Sequence, residues 1–162
     1  MAKIILGIDP GIADTGYGVI KEERGNLSCL VYGSIKTKAG EDLVTRLNIL
    51  HLELDKIIKK YHPESAAVES LFFNKNVRTA LIVGQARGVA LLTLSQNKLV
   101  VTDFTPSQVK QAVASYGKAS KQQVQKMVKL ILRLKEIPQP DDAADALAIA
   151  ICALNSRVCP KN

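Results

Sequence analysis

The order of patterns along this chain predicts an α/β fold: a mixed five-stranded sheet flanked by helices on both faces. Three observations carry that reading. Three strand-like stretches come first and are joined by short links, which makes an antiparallel meander. Two further short apolar stretches then alternate with helical periodicity, which extends the meander into a mixed sheet with helices on its faces. The opening run, Ile4-Ile5-Leu6-Gly7-Ile8, is continuously apolar rather than alternating, as suits a strand covered on both sides.

That run ends on Asp9, and Pro10-Gly11 stop the strand and turn the chain. After the loop Ile12-Ala13-Asp14, the pattern predicts a second strand over Thr15–Glu23. A turn at Gly25-Asn26 leads to a third over Leu27–Thr37. Glu41–Lys60 reads as a helix. Leu43, Leu47, Leu50, Leu54 and Ile57 form one apolar stripe, with acids at the start and Lys59-Lys60 at the end matching the helix dipole. Ser65–Glu69 is a short buried strand that, like the first, stops on a carboxylate. Val77–Gln96 reads as a long helix whose Ala80, Gly84 and Gly88 make a face small enough for close helix approach. Leu99–Phe104 is the fifth strand.

Thr105-Pro106-Ser107-Gln108 is a capping box with proline at the first helical position. The helix it starts runs to near Gly117. Ser120 caps the next, Lys121–Lys135. Pro138 and Pro140 break the chain, and Asp141 or Asp142 starts a last helix through about Ser156.

With 162 residues, the chain is expected to form a single domain over residues 1–157, with 158–162 as a tail without order. The net charge of +7 points to an anionic partner, nucleic acid ahead of membrane, against the plainer reading of charge for solubility. No apolar run approaches the ~20 residues of a membrane span, and Asp9 interrupts the first one too early for a signal peptide. Cys29, Cys152 and Cys159 are too few and too scattered for a disulfide framework or a zinc site. A reducing cytoplasm is the expected compartment.

The chemistry lies in four acids. Asp9 and Glu69 each end a buried strand; if those strands are neighbours, both carboxylates emerge at one end of the sheet. Past its first turn the last helix is apolar on every side, so it must be largely buried, yet Asp142 and Asp145 share one face at its start. Asp9 on its own could be a turn residue and Asp142 a helix cap. Taken together, carboxylates within ~5 Å repel by about 3 kcal/mol per pair at an effective dielectric of 20. Only protons or divalent cations offset that. Hard oxygen ligands suit Mg²⁺, with Mn²⁺ as a substitute, and an all-carboxylate two-metal site suits phosphodiester cleavage.

The chain resembles the RuvC family of Holliday junction resolvases, which have the RNase H-like fold. The resemblance rests on Gly7-Ile8-Asp9-Pro10-Gly11 with Thr15-Gly16-Tyr17-Gly18, and on Val68-Glu69 with Phe72. It continues through Gly84-Gln85-Ala86-Arg87-Gly88-Val89-Ala90, Gln108-Val109-Lys110 and Asp142-Ala143-Ala144-Asp145-Ala146-Leu147-Ala148. It implies that Asp9, Glu69, Asp142 and Asp145 are catalytic metal ligands, two Mg²⁺ per site, with Asp9 between them. Some members carry histidine at the position of Asp142, and Asp141 is an extra acid here, read as the helix cap.

The resemblance also implies a homodimer that nicks four-way junction DNA symmetrically and works with the RuvA–RuvB branch-migration complex. The Val77 helix is the candidate seam, or else packs on the sheet. Phe72 matches the aromatic that stacks on bases near the junction centre; Leu71 or Phe73 could instead anchor the loop in the core. Lys110 and Lys121 match lysines near the scissile phosphate, or lie on a solvated face; Lys118 lies close enough to be confused with Lys121. Lys75, Arg78 and Arg87 are candidates for backbone contact, with Phe73 and Lys118 completing the DNA-binding set.

Rival readings differ in class. Asp9-Pro10-Gly11 with Thr15-Gly16 also resembles the first phosphate loop of actin-like ATPases, which would make the chain a fragment of a nucleotide-binding phosphotransferase. A non-catalytic junction-binding protein would need the basic charge but not the acids. A nuclease of RNA–DNA hybrids is open on fold alone.

Overall fold

The computed structural model describes residues 2–70 and 77–156. Its elements run β1 (Lys3–Asp9), β2 (Asp14–Glu23), β3 (Asn26–Lys36), α1 (Leu43–Tyr61), β4 (Ser65–Glu69), α2 (Val77–Gln96), β5 (Val100–Phe104), α3 (Pro106–Ala114), α4 (Lys121–Ile131) and α5 (Asp141–Asn155). The sheet order is β3-β2-β1-β4-β5. β1, β2 and β3 pair antiparallel, while β4 and β5 join β1 in parallel. The apolar opening run is therefore the central strand.

Alternation along the strands divides the core. Leu6, Ile8, Val19, Ala66 and Val68 face one side and pack with Leu50, Leu54 and Ile58 of α1 and Ala86, Ala90 and Leu94 of α2. Ile5, Ile20, Ala67 and Phe104 face the other, under α3, α4 and α5. Because Ile8 and Val68 are register partners pointing to the α1–α2 side, the next residues, Asp9 and Glu69, leave the sheet together on the α5 side.

α5 lies unusually close to the sheet because of glycine. A Cβ on Gly7 would stand 2.0 Å from the Ala146 carbonyl oxygen, and one on Gly16 would stand 2.0 Å from the Asp142 carbonyl oxygen. Any side chain at either position would lift the helix. The buried residues of α5, including Ala143, Ala144, Ala146, Ala148 and Ala150, keep its own surface thin enough to match.

The helix termini correct several expectations. α1 has no acid in its first turn: Asp42 is the cap and accepts from the Thr45 N–H at 3.0 Å, with Glu41 outside the helix. The buried end of its stripe is Ile58 rather than Ile57. α3 stops at Ala114, before Gly117, with Ser115 left-handed. α4 stops at Ile131 rather than Lys135, and Arg133 takes a φ of 53°. The Thr105–Gln108 capping box is present, and Ser120–Gln123 forms a second. α5 has no side-chain cap: Pro140 holds that position, and Asp141 and Asp142 lie inside the first turn. Asp141 is thus not the helix cap, and neither is Asp142.

Among the described residues, nothing packs against the Gly84–Gly88 side of α2. A Cβ on Gly84 or Gly88 would meet nothing within 4 Å. Leu81 and Leu92, on the same side of the helix, are 62% and 57% exposed.

Candidate metal centre

Asp9 comes from the end of the central strand, and Asp142 and Asp145 from the start of α5. One carboxylate oxygen from each lies within 4.8 Å of the others. Glu69 borders the same ground. It lines a cleft with Asp145, Lys110 and Lys121 over an apolar floor of Val109 and Val124. Parallel pairing of β1 with β4 supplies Asp9 and Glu69, and the glycine-permitted seat of α5 supplies the other two.

Electrostatics follow from that crowding. Burial, then the charges of Glu69, Asp145 and Asp142, push Asp9 up from 3.8 to about 8, with Lys121 opposing. Burial and then Asp145 raise Glu69, while Lys110 and Lys121 pull it back. Burial also raises Asp145, against the hydrogen bond and charge of Lys121. Asp142 is raised by burial and next by Asp14. The Lys121 ammonium lies 3.1 Å from Asp145 Oδ2 and 3.3 Å from Asp141 Oδ2. Burial works against its charge, but the hydrogen bonds and charges of Asp145 and Asp141 outweigh it and hold its pKa above the usual lysine value.

The loop after Asp9 is tied down. Thr15 Oγ1 donates to the Gly11 carbonyl, the Thr37 N–H donates to the Ala13 carbonyl at 3.0 Å, and Arg46 Nε donates to Thr37 Oγ1 at 2.8 Å.

The other expected residues divide. Lys110 and Lys121 stand in the cleft, whereas Lys118, exposed between α3 and α4, is not among its lining residues. Arg78 is exposed on the first turn of α2. Arg87 turns inward: its Nη2 pairs with Asp103 Oδ1 at 2.7 Å and its Nε donates to the Glu69 carbonyl at 3.4 Å. It thereby ties α2 to the ends of β4 and β5. Phe72, Phe73 and Lys75 lie outside the described residues.

Two participants escaped the sequence reading. Asp14 acts on Asp142, and its Oδ1 is buried without a hydrogen-bond partner among the described residues. The meander contained the clue, since β2 must start at the sheet end where β1 finishes. Gln125, one turn beyond Lys121 on α4, donates from Nε2 to Asp141 Oδ1 at 3.0 Å. Its spacing of four from Lys121 was the only hint.

A mixed sheet of this order, with acids gathered at the end of its central strand and at the start of the helix across it, defines an RNase H-like α/β protein of the nuclease type. The family described as "Crossover junction endodeoxyribonuclease RuvC" matches residues 5–153. A relative of that name from Halothermothrix orenii is 56% identical, covering 94% of this chain and 93% of the relative. One from Heliobacterium modesticaldum is 55% identical, with 94% of each covered. Among solved structures, Thermus thermophilus RuvC in complex with Holliday junction substrate superposes with a TM-score of 0.91 at 36% identity, covering 95% of this chain and 94% of that one. The chain belongs to the RuvC family of crossover junction endodeoxyribonucleases.

Proposed function

We propose that this chain resolves Holliday junctions in recombination and DNA repair by paired symmetric nicks, with Asp9, Glu69, Asp142 and Asp145 holding two Mg²⁺ ions, or Mn²⁺ in their place. The observation that carries the reading is the convergence of acids at the end of the central strand, where burial and then the charges of Glu69, Asp145 and Asp142 raise the Asp9 carboxyl. Asp9, Asp142 and Asp145 converge within 4.8 Å with oxygen donors only, a donor set that fits hard divalent cations. Such cations supply an activated water and neutralise charge at the leaving oxygen of a phosphodiester.

The chain's own groups do the rest. Pro10-Gly11 turn the backbone away from Asp9, leaving the strand end open to a DNA strand. Lys110 and Lys121 present positive charge in the cleft that Glu69 and Asp145 also line, where a phosphate would lie. The +7 net charge draws the DNA backbone to the surface. The exposed Leu81–Gly84–Gly88–Leu92 side of α2 is the seam of a two-fold dimer, which sets one site on each of two opposed strands. Phe72 stacks on bases at the junction centre, and the RuvA–RuvB complex delivers the junction in the cytoplasm.

The test offers a synthetic four-way junction and an RNA–DNA hybrid duplex in Mg²⁺. The expected outcome is paired ligatable nicks in the junction only, lost in Asp9→Asn while junction binding survives. Cleavage by Asp9→Asn, or preference for the hybrid, overturns the assignment. Leu81→Glu with Leu92→Glu is expected to give monomers by sedimentation; an unchanged dimer moves the seam elsewhere.

A further inference from the structure

Asp141 stands apart from the metal-binding trio and does not cap its helix, yet both of its oxygens are engaged. Oδ1 accepts from Gln125 Nε2 at 3.0 Å, and Oδ2 lies 3.3 Å from Lys121 Nζ. Gln125 is only 8% exposed, so a buried amide is committed to a carboxylate whose side chain is 55% exposed. An ion pair as exposed as Lys121–Asp141 adds little to stability by itself. What the arrangement does is aim a carboxylate at Lys121 from a fixed direction.

Lys121 has a second carboxylate, Asp145 Oδ2, at 3.1 Å. A divalent cation held by Asp145 would sit against the same carboxylate, where an ammonium and a divalent cation repel strongly. Lys121 must therefore have somewhere to go when Asp145 serves as a metal ligand. Without another anchor, this long flexible side chain would swing into solvent and leave the cleft.

We propose that Asp141, held by Gln125, is the positioning residue for Lys121: it takes the ammonium from Asp145 when Asp145 binds a divalent cation, and keeps it at the edge of the cleft where a phosphate would lie. The inference rests on the metal-dependent reading above and deepens it. Asp141 touches neither substrate nor metal in this role; it acts through Lys121. Gln125 and Lys121, four apart on α4, present amide and ammonium side by side to the same carboxylate.

The experiment is a double-mutant cycle with two readouts. Mn²⁺ binding without DNA is measured by calorimetry, and junction cleavage is measured in single turnover at saturating Mg²⁺ and DNA. Asp141→Asn is expected to weaken Mn²⁺ binding and slow cleavage, each by about tenfold, the scale of an outer-shell partner. Junction affinity should stay unchanged. Gln125→Met should act in the same direction and less strongly. In a Lys121→Met background both effects should shrink to less than about twofold, because the group being positioned is gone.

Equal effects of Asp141→Asn with and without Lys121 would overturn the proposal and make Asp141 a local charge or a packing partner for Gln125. A wild-type chain that neither binds Mn²⁺ nor cuts junctions would overturn the underlying metal-dependent reading as well. A wild type that does both, with additive variants, overturns only the role given to Asp141.

Discussion

Two aspartates near helix starts, Asp42 and Asp142, show opposite uses of one residue type. Asp42 precedes α1, is exposed, and accepts hydrogen bonds from the Thr45 hydroxyl and N–H, which hold its carboxyl below the usual range. Asp142 sits inside the first turn of α5 without capping it, and burial and then the charge of Asp14 push its carboxyl up. α1, α3 and α4 all begin on a capping side chain, whereas α5 begins on Pro140 with none. An acid that satisfies its own helix is locally content. An acid that does not, and is crowded by other acids, keeps a charge that its helix does not offset and that a proton or a cation would.

The sharpest way to break that contrast is cleavage itself. Asp145→Asn, one turn along from Asp142, removes charge stabilisation worth several kcal/mol and should slow junction cleavage by about 10³-fold with binding retained. Asp42→Asn, which still caps, should leave the rate unchanged in the same single-turnover assay. Comparable losses in both would erase the distinction between capping and metal-binding acids.

Next in size is the seat of α5. Gly16→Ala places a methyl 2.0 Å from the Asp142 carbonyl oxygen. Overpacking of this kind costs roughly 1–3 kcal/mol. Because the helix start must move, it should also weaken Mn²⁺ binding, read by calorimetry. Lost stability with intact metal affinity would show that the acids tolerate a displaced helix.

Stability against pH tests the crowding directly. Unfolded, Asp9 ionises near 3.8; folded, it holds its proton to about 8. Between those values the folded state binds the extra proton, so without divalent cations stability should fall as pH rises through that window. At pH 8 in chelator, Asp9→Asn should therefore raise the melting temperature, by roughly 4–8 °C for a relief on the order of 2 kcal/mol. Mg²⁺ should stabilise the wild type but not the variant. A destabilised Asp9→Asn would mean that the carboxyl is satisfied in place.

The smallest effect belongs to Asp42→Ala, which loses a cap and should lower the melting temperature by roughly 2–4 °C in chelator or Mg²⁺ alike. A dependence on Mg²⁺ would place Asp42 in the metal-binding set after all.

Much of this was legible beforehand. The continuous apolar run of β1, the second carboxylate-ended strand at β4 and the Thr105–Gln108 box are local patterns, and local patterns survive folding. The acids also stood out, because the helix dipole offers a carboxylate at a helix start too little to offset its burial in a helix that is apolar on all sides. What could not be read was where side chains point. An arginine on a helix carries no mark of inward pairing, and the tie of Arg87 to Asp103 and the Glu69 carbonyl needs α2 laid across the ends of β4 and β5. The small face of α2 suggested close packing, and only the fold shows that Gly84 and Gly88 meet none of the described residues.

By itself, then, the amino-acid sequence determined the strands, most helix starts, and which acids are candidates for the chemistry, because each is set by neighbours a few residues away. Only the tertiary structure decided that α5 sits close enough to β1 and β2 to bring Asp142 and Asp145 to Asp9. It alone decided that the charge of Asp14 bears on Asp142, and that Lys121 stands between Asp141 and Asp145. The seat of α5 depends on sheet order and on interatomic gaps at Gly7 and Gly16, against residues more than a hundred positions away, and no local pattern encodes a distance of that kind.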